Sequence, residues 1–326
     1  LQYICINHCI QVRMKKSIGG VLSVLCLLML LFNPQLALEG ARQGLILWGN
    51  IVLPTLLPFM ICSSVIVAMD AICILTGPFK PILSGLLKLS DQGSYVLMSG
   101  LLCGYPMGAK NASDFLDSRR ISPEEGRYLL AIANHPSPMF VLGYIMSQIS
   151  LIPDVGKACS LWITAASLYL PILPISILAR ACYHYKRLDD PEAGNQLYSS
   201  SSFSFDEHMM SSFETMTKIG GYIMLFSILA LYLTVFPLPL PPLIRPALLG
   251  AVEITTGIQA IVQSSSGQTG ALLVIGSAAF GGFSGIFQTK SVLKNAGLSI
   301  RHYIFWKLLH SALSCILFYV FMCLKA

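Results

Sequence analysis

The feature that most limits what this chain can fold into is an apolar run too short to cross a bilayer. Residues 94–109 carry no charge over roughly sixteen positions, against the ~20 that a spanning helix needs. The run closes on Gly104-Tyr105-Pro106-Met107-Gly108-Ala109, and Lys110 follows. Glycine and proline together end a helix, one through its conformational freedom and the other through its missing N–H. In water such a segment is a core helix ending in a turn. In a bilayer it is a re-entrant hairpin, because irregular backbone is tolerated at depth only inside protein or beside a cavity.

Composition decides between the two. Hydrophobic residues make up 55% of the 326, charged residues only 11%, and mean hydropathy is +0.70, whereas a soluble domain carries ~25% charged residues. Further apolar runs at 18–32, 44–69, 128–150, 158–181, 219–236, 247–262, 271–287 and 303–324 predict an all-α polytopic membrane protein with the lipid bilayer as its surroundings. The net charge of +6 lies mainly between these runs, as cytoplasmic loops do, and gives no reason to expect a nucleic-acid partner. Met14-Lys15-Lys16 ahead of 18–32 reads as a translation start before a retained first helix, with a cleavable signal peptide as the other reading and 1–13 a non-native or misassigned extension. The ten cysteines contain no Cys-x-x-Cys pair, so packing is expected of them rather than a metal site or a disulfide framework. No His-Glu-x-x-His, Gly-x-Ser-x-Gly or Gly-x-x-x-x-Gly-Lys-Ser/Thr string occurs. Neither an enzyme nor a cofactor is expected.

A polar stretch at 183–217 separates a first membrane half, 14–182, from a second, 218–326. It is too short and too polar to hold a core. Sliding the sequence by 177 positions lays Gly104–Gly108 on Gly281-Gly282-Phe283-Ser284-Gly285 and Ile121-Ser122 on Leu298-Ser299. The predicted architecture is therefore two pseudo-repeats, each with a re-entrant hairpin and a broken transmembrane helix. Paired short, Gly/Pro-interrupted segments of this kind are a signature of secondary transporters. Charge orients the chain only in part: Lys15, Lys16, Lys80, Lys88, Lys110, Arg119, Arg120 and Arg127 fit a cytoplasmic side, but Lys290, Lys294 and Arg301 then conflict with a strict inverted repeat.

Polar residues inside apolar runs carry the functional expectations. Pro136 and Pro138 break 128–150 and free carbonyls next to Asn134, His135 and Ser137, and polar groups at a mid-membrane break are expensive unless used. Taken alone, His135 reads better as a satisfied kink residue. Lys110 follows Gly108 at an expected helix N-terminus, where free N–H groups and the dipole favour an anion; its plain alternative is a positive-inside lysine. Pro54 and Pro58 kink another span, and Glu253 with Thr255 puts a carboxylate inside 247–262, for proton coupling or to pair a buried cation. Gln288 and Thr289 are weaker polar candidates. The predicted substrate-contacting set is Gly104, Tyr105, Pro106, Gly108, Lys110, Asn134, Ser137, Glu253, Thr255, Gly282 and Ser284, around a small-molecule anion.

Six of these stretches also carry a resemblance: the kinked 48–59 span, Gly104-Tyr105-Pro106-Met107-Gly108-Ala109-Lys110, Ile121-Ser122-Pro123-Glu124-Glu125, residues 134–140, Glu253-Ile254-Thr255-Thr256-Gly257, and Gly281-Gly282-Phe283-Ser284. Together they resemble the YlbJ-type sporulation integral membrane proteins, which carry the nucleoside recognition (Gate) domain. The resemblance implies a polytopic protein of the bacterial cell membrane, specifically the outer forespore membrane of a sporulating cell, similar in design to concentrative nucleoside transporters. It further implies transport of dipicolinic acid from mother cell toward forespore. A nucleoside-type carrier and a non-transporting membrane assembly protein for spore maturation are the other readings. Homo-oligomerisation and the identity of any coupling ion stay open.

Overall fold

A computed structural model describes residues 20–21, 23–69, 71–155, 159–186, 204–236, 240–241, 244–293 and 297–325. The 1–13 extension and the middle of the polar stretch, 187–203, lie outside the described residues, as do Lys15, Lys16 and Lys294. Among the described residues the chain is helical with no strand. By length and apolar composition, five helices can cross a membrane: Pro34–Ala68, Leu161–Tyr183, Phe205–Val235, Gly267–Val292 and Ile300–Lys325. A shorter apolar helix, Ser23–Phe32, precedes them.

The first long helix is α1 (Pro34–Leu47), which runs through a wide π-type turn at Trp48–Val52 into α2 (Leu53–Ala68). Asn33 caps α1 by accepting from the Leu36 N–H. A short α3 (Ile72–Thr76) leads to α4 (Asp91–Cys103) and α5 (Met107–Asp117). Next come α6 (Pro123–Ile132) and α7, which starts at Pro138–Phe140 and continues through Val141–Ile145 to Met146–Ser150. Helices α8 (Leu161–Tyr169) and α9 (Ile172–Tyr183) close the first half. The second half holds α10 (Phe205–Val235), α11 (Ile244–Val252), α12 (Ile254–Ser264), α13 (Gly267–Phe280), α14 (Gly282–Val292) and α15 (Ile300–Lys325). Residues 205–217, read from sequence as the end of a linker, are thus the first turns of α10.

Helices α4 and α5 form an antiparallel hairpin. Gly100 faces Gly108, Asn111 donates to Ser99 over 2.7 Å, and Tyr95 stacks on Phe115 with ring centroids 5.8 Å apart. Its start is fixed by Ser90, whose hydroxyl accepts from the Gly93 N–H, and its tip by Gly104 at φ +86°, a conformation glycine adopts without strain. At ~1.5 Å per residue α4 is ~20 Å long, short of a ~30 Å hydrocarbon core.

The 177-residue offset placed a second hairpin at Gly281–Gly285, and here the structure differs. Gly281 (φ +82°) is a break between α13 and α14, which do not pack side by side. The second hairpin is α11–α12, with Glu253 as its one-residue tip. Small residues on facing surfaces decide this, because they allow helix backbones to touch: a side chain on Gly257 would collide with the backbone of Gly250. The order "hairpin, then interrupted helix" therefore occurs twice, as α4–α5 then α6/α7, and as α11–α12 then α13/α14.

Around this centre the long helices form a frame. Helix α10 lies along α1, where a Cβ on Gly40 or Gly44 would sit 2.7 Å from the Cα of Ile228 or Met224. Large apolar side chains such as Ile46, Phe59, Leu225, Phe305 and Leu308 point outward, a surface suited to lipid rather than water.

Candidate functional site

Both hairpin tips and the break between α6 and α7 meet at one cavity of about 340 Å³, within the ~300–1,000 Å³ of small-molecule sites. The first tip contributes Cys103, Gly104 and Tyr105; the break contributes Pro136 and Ser137, followed by Phe140 and Tyr144 of α7. Glu253, Ile254 and Thr255 come from the second tip, Asn50 and Thr55 from the kinked α1–α2 span, and Gln288 from α14.

Two helices begin in this wall. Ser137 is the N-cap of α7 and accepts from the Phe140 N–H over 3.2 Å. Glu253 is the N-cap of α12: its Oε2 accepts from the Thr256 N–H at 2.8 Å and from the Thr255 hydroxyl at 2.5 Å, while Oε1 takes no hydrogen bond among the described residues. Both helices therefore turn their positive dipole ends toward the cavity. Tyr144 ties them together, its hydroxyl donating to the Thr255 carbonyl over 2.8 Å. Among the described residues no lysine or arginine lines the cavity.

Of the residues expected from sequence, Gly104, Tyr105, Ser137, Glu253 and Thr255 lie in the wall, and so does the weaker candidate Gln288. The others do not. Lys110 turns back along α5 to pair with Asp114 at 2.7 Å. Asn134 uses its side-chain oxygen to accept from the Ala109 N–H over 2.8 Å, holding α5 against the break. Gly108 is needed for packing, since a side chain there would strike the Ala133 carbonyl. Gly282 (φ +69°) packs under the second tip, 3.3 Å from the Val252 carbonyl at its Cβ position, and Ser284 accepts from Gln288 at 2.9 Å. Pro106 begins the turn into α5 as its N-cap residue. Thr289 is buried in α14.

Sequence reasoning passed over Asn50, Thr55, Tyr144 and a buried group behind the wall. Lys307 of α15 is only 3% exposed; it donates to the Asn134 carbonyl at 3.1 Å, and its Nζ lies 5.2 Å from the centre of the Tyr105 ring. His135 and His310, both buried, meet edge-on beside it with ring centroids 4.5 Å apart. A lysine and a histidine inside the 303–324 apolar run were the available signal, because charges there are rare and functional by default.

The chain is 25% identical over 320 residues to the sporulation integral membrane protein YlbJ of Bacillus subtilis (strain 168), an alignment covering 87% of this chain and 77% of that protein. This likeness supports the YlbJ-type resemblance read from the sequence. The five long apolar helices agree with the integral membrane character in that relative's name. No family model matches the chain, and no solved structure matches it.

Proposed function

We propose that the chain is a membrane carrier for a small carboxylated metabolite, with the cavity between the hairpin tips as its central site. The two hairpins are read as re-entrant, related as a repeat, and meeting at mid-membrane. Half-length helices whose N-termini point at a central solute are how secondary transporters hold anionic groups. The observation that carries the reading is the opening of α7 and α12 onto one cavity from two different halves of the chain. The family resemblance makes dipicolinate the leading cargo and the outer forespore membrane its place of action. No catalytic step is assigned. Glu253 is the carboxylate in the cavity wall, the group expected from sequence to serve proton coupling or to pair a buried cation.

A nucleoside-type carrier is the second reading, favoured by the absence of a lysine or arginine from the described cavity wall and by the amides of Asn50 and Gln288, which suit an uncharged polar solute. Proteoliposomes holding the purified protein separate the two. Saturable uptake of labelled dipicolinate, stimulated by acid outside, supports the first reading, and Glu253→Gln should lower that stimulated uptake about ten- to a hundredfold, the scale of a hydrogen bond to a charged group. Uptake of uridine without dipicolinate transfers the site to the second. Uptake of neither leaves an assembly role in spore maturation as the surviving reading.

A further inference from the structure

Lys307 is a buried lysine with no ion-pair partner among the described residues. It is buried on α15 between the first hairpin tip and the α6/α7 break, and among the described residues no carboxylate lies within 4 Å of its Nζ. Its polar contacts are one carbonyl, that of Asn134, and the face of Tyr105. The titratable groups beside it are Tyr105 from the hairpin tip, His135 from the break, and His310 and Tyr303 from α15 itself, while Tyr169 of α8 donates to the Pro136 carbonyl of the same break. None of these supplies a negative charge at neutral pH. The carboxylate lining the cavity is Glu253, in the same wall as Tyr105.

Two of these neighbours have unused polar atoms: the Tyr105 hydroxyl and His135 Nδ1 are both buried without a hydrogen-bond partner. Tyr105 is shared. One ring forms part of the cavity wall and also carries the lysine on its face. An ammonium held there is costly while the cavity holds only water, since a buried charge without a partner keeps its full desolvation cost. A carboxylate arriving in the cavity removes that cost by supplying the missing counter-charge one ring away. Proton uptake and anion binding then favour each other, which is a reciprocal coupling between two sites.

We propose that Lys307 takes up a proton together with the anionic cargo and gives it up when the cargo leaves. This rests on the anionic-cargo reading and deepens it, for it explains how a cavity with no cationic side chain in its described wall accepts an anion. The balance is simple. One neutral amine and one proton become one ammonium as the anion enters, and the reverse occurs on the other side, with no bond to the cargo made or broken.

The test is dipicolinate binding to the purified full-length protein in detergent, measured by calorimetry between pH 6 and pH 9, for wild type, Lys307→Met and Lys307→Arg. Wild-type affinity should fall as pH rises. Lys307→Met should bind at least tenfold more weakly at pH 6, and Lys307→Arg, whose guanidinium keeps its proton across this range, should bind with a flatter pH profile than wild type. Glu253 is present in all three proteins, so the difference between profiles belongs to Lys307. Should Lys307→Met fail to yield monodisperse protein, Lys307→Arg decides alone. A Lys307→Arg profile parallel to wild type, or unchanged affinity in a folded Lys307→Met, overturns the inference and leaves the carrier reading standing. Absence of wild-type binding at every pH overturns both.

Discussion

The two hairpins have the same outline and different contents. In α4–α5 the glycine pair Gly100 and Gly108 does not only bring two helices together; both glycines also leave room for a third party, the Ala133 carbonyl at the α6/α7 break. In α11–α12 a Cβ on Gly257 would meet the Leu249–Gly250 backbone, and one on Gly250 would meet the side chains of Ser277 and Ile261. The first tip is bonded to the break by the Tyr105 N–H to the His135 carbonyl at 3.1 Å, and α5 by Ala109 to Asn134. Among the described residues the second tip is held from outside by the Tyr144 bond to Thr255. A buried lysine, Lys307, lies behind the first tip, and Glu253 forms the second. Equal geometry has therefore been given unequal duties: one hairpin is built into the frame, and the other presents an ionisable group on a lighter support.

The sharpest way to break this comparison is to fill the glycine contacts. Gly257→Val should be the most damaging change, since its side chain meets Gly250 backbone on a tightly closed pair. Gly108→Val should come close, as the Ala133 carbonyl it meets is fixed by the break. Each is expected to cost more than ~3 kcal/mol, beyond ordinary overpacking, because backbone rather than a flexible side chain must move. Gly221→Ala in α10, where a Cβ meets nothing within 4 Å, is the control and should be neutral or slightly stabilising. Thermal melts in detergent read all three. Equal tolerance of Gly108→Val and Gly221→Ala would mean that the first hairpin is not packed on the break.

A smaller effect is expected from Asn134→Ala. It removes the acceptor of the buried Ala109 N–H and should cost ~1–3 kcal/mol, the penalty for an unsatisfied buried donor. Asn134→Asp keeps an acceptor and should lose less. Because the bond joins only the first hairpin to the break, binding at Glu253 should change less than melting temperature. A loss of affinity larger than the loss of stability would make Asn134 a ligand-contacting residue and erase the contrast between the two tips.

The first hairpin was legible because its own chain announces it: an apolar run of limited length, then Gly104 and Pro106, all local signals. The second was misplaced because sequence similarity at Gly281–Gly285 follows glycine spacing, while a hairpin depends on which glycines face each other. Gly250 and Gly257 flank Glu253 and their meeting is a tertiary fact. The broken helix at 134–138 was legible for the same local reason as the first hairpin, through its prolines. The cavity was legible where polar residues interrupt apolar runs, at Ser137, Glu253 and Thr255. Asn50 and Thr55 enter it from the π-type turn at Trp48–Val52 and the first turn of α2, a local geometry that the apolar pattern of 44–69 does not show. Lys307 and His310 were visible in the sequence all along but were absorbed into an apolar run, whose average hides two residues that burial makes expensive.

Lys110 offers the mildest and most discriminating test. Glycines before a lysine at a helix start describe an anion site equally well as they describe a packed turn, and local sequence does not separate them. The side chain in fact lies along α5, 2.7 Å from Asp114 one turn on, with 12% of its side chain exposed. A same-helix pair of that spacing contributes ~0.3–0.5 kcal/mol when exposed and somewhat more when partly buried. Lys110→Ala should therefore shift the melt by little and leave dipicolinate affinity within about twofold of wild type. Asp114→Asn should behave alike, since either change removes one pair rather than one ligand contact. A tenfold loss of affinity in Lys110→Ala with Asp114→Asn unaffected would instead place the cation in the path of the anion and shift the positive element of the site from behind Tyr105 to the start of α5.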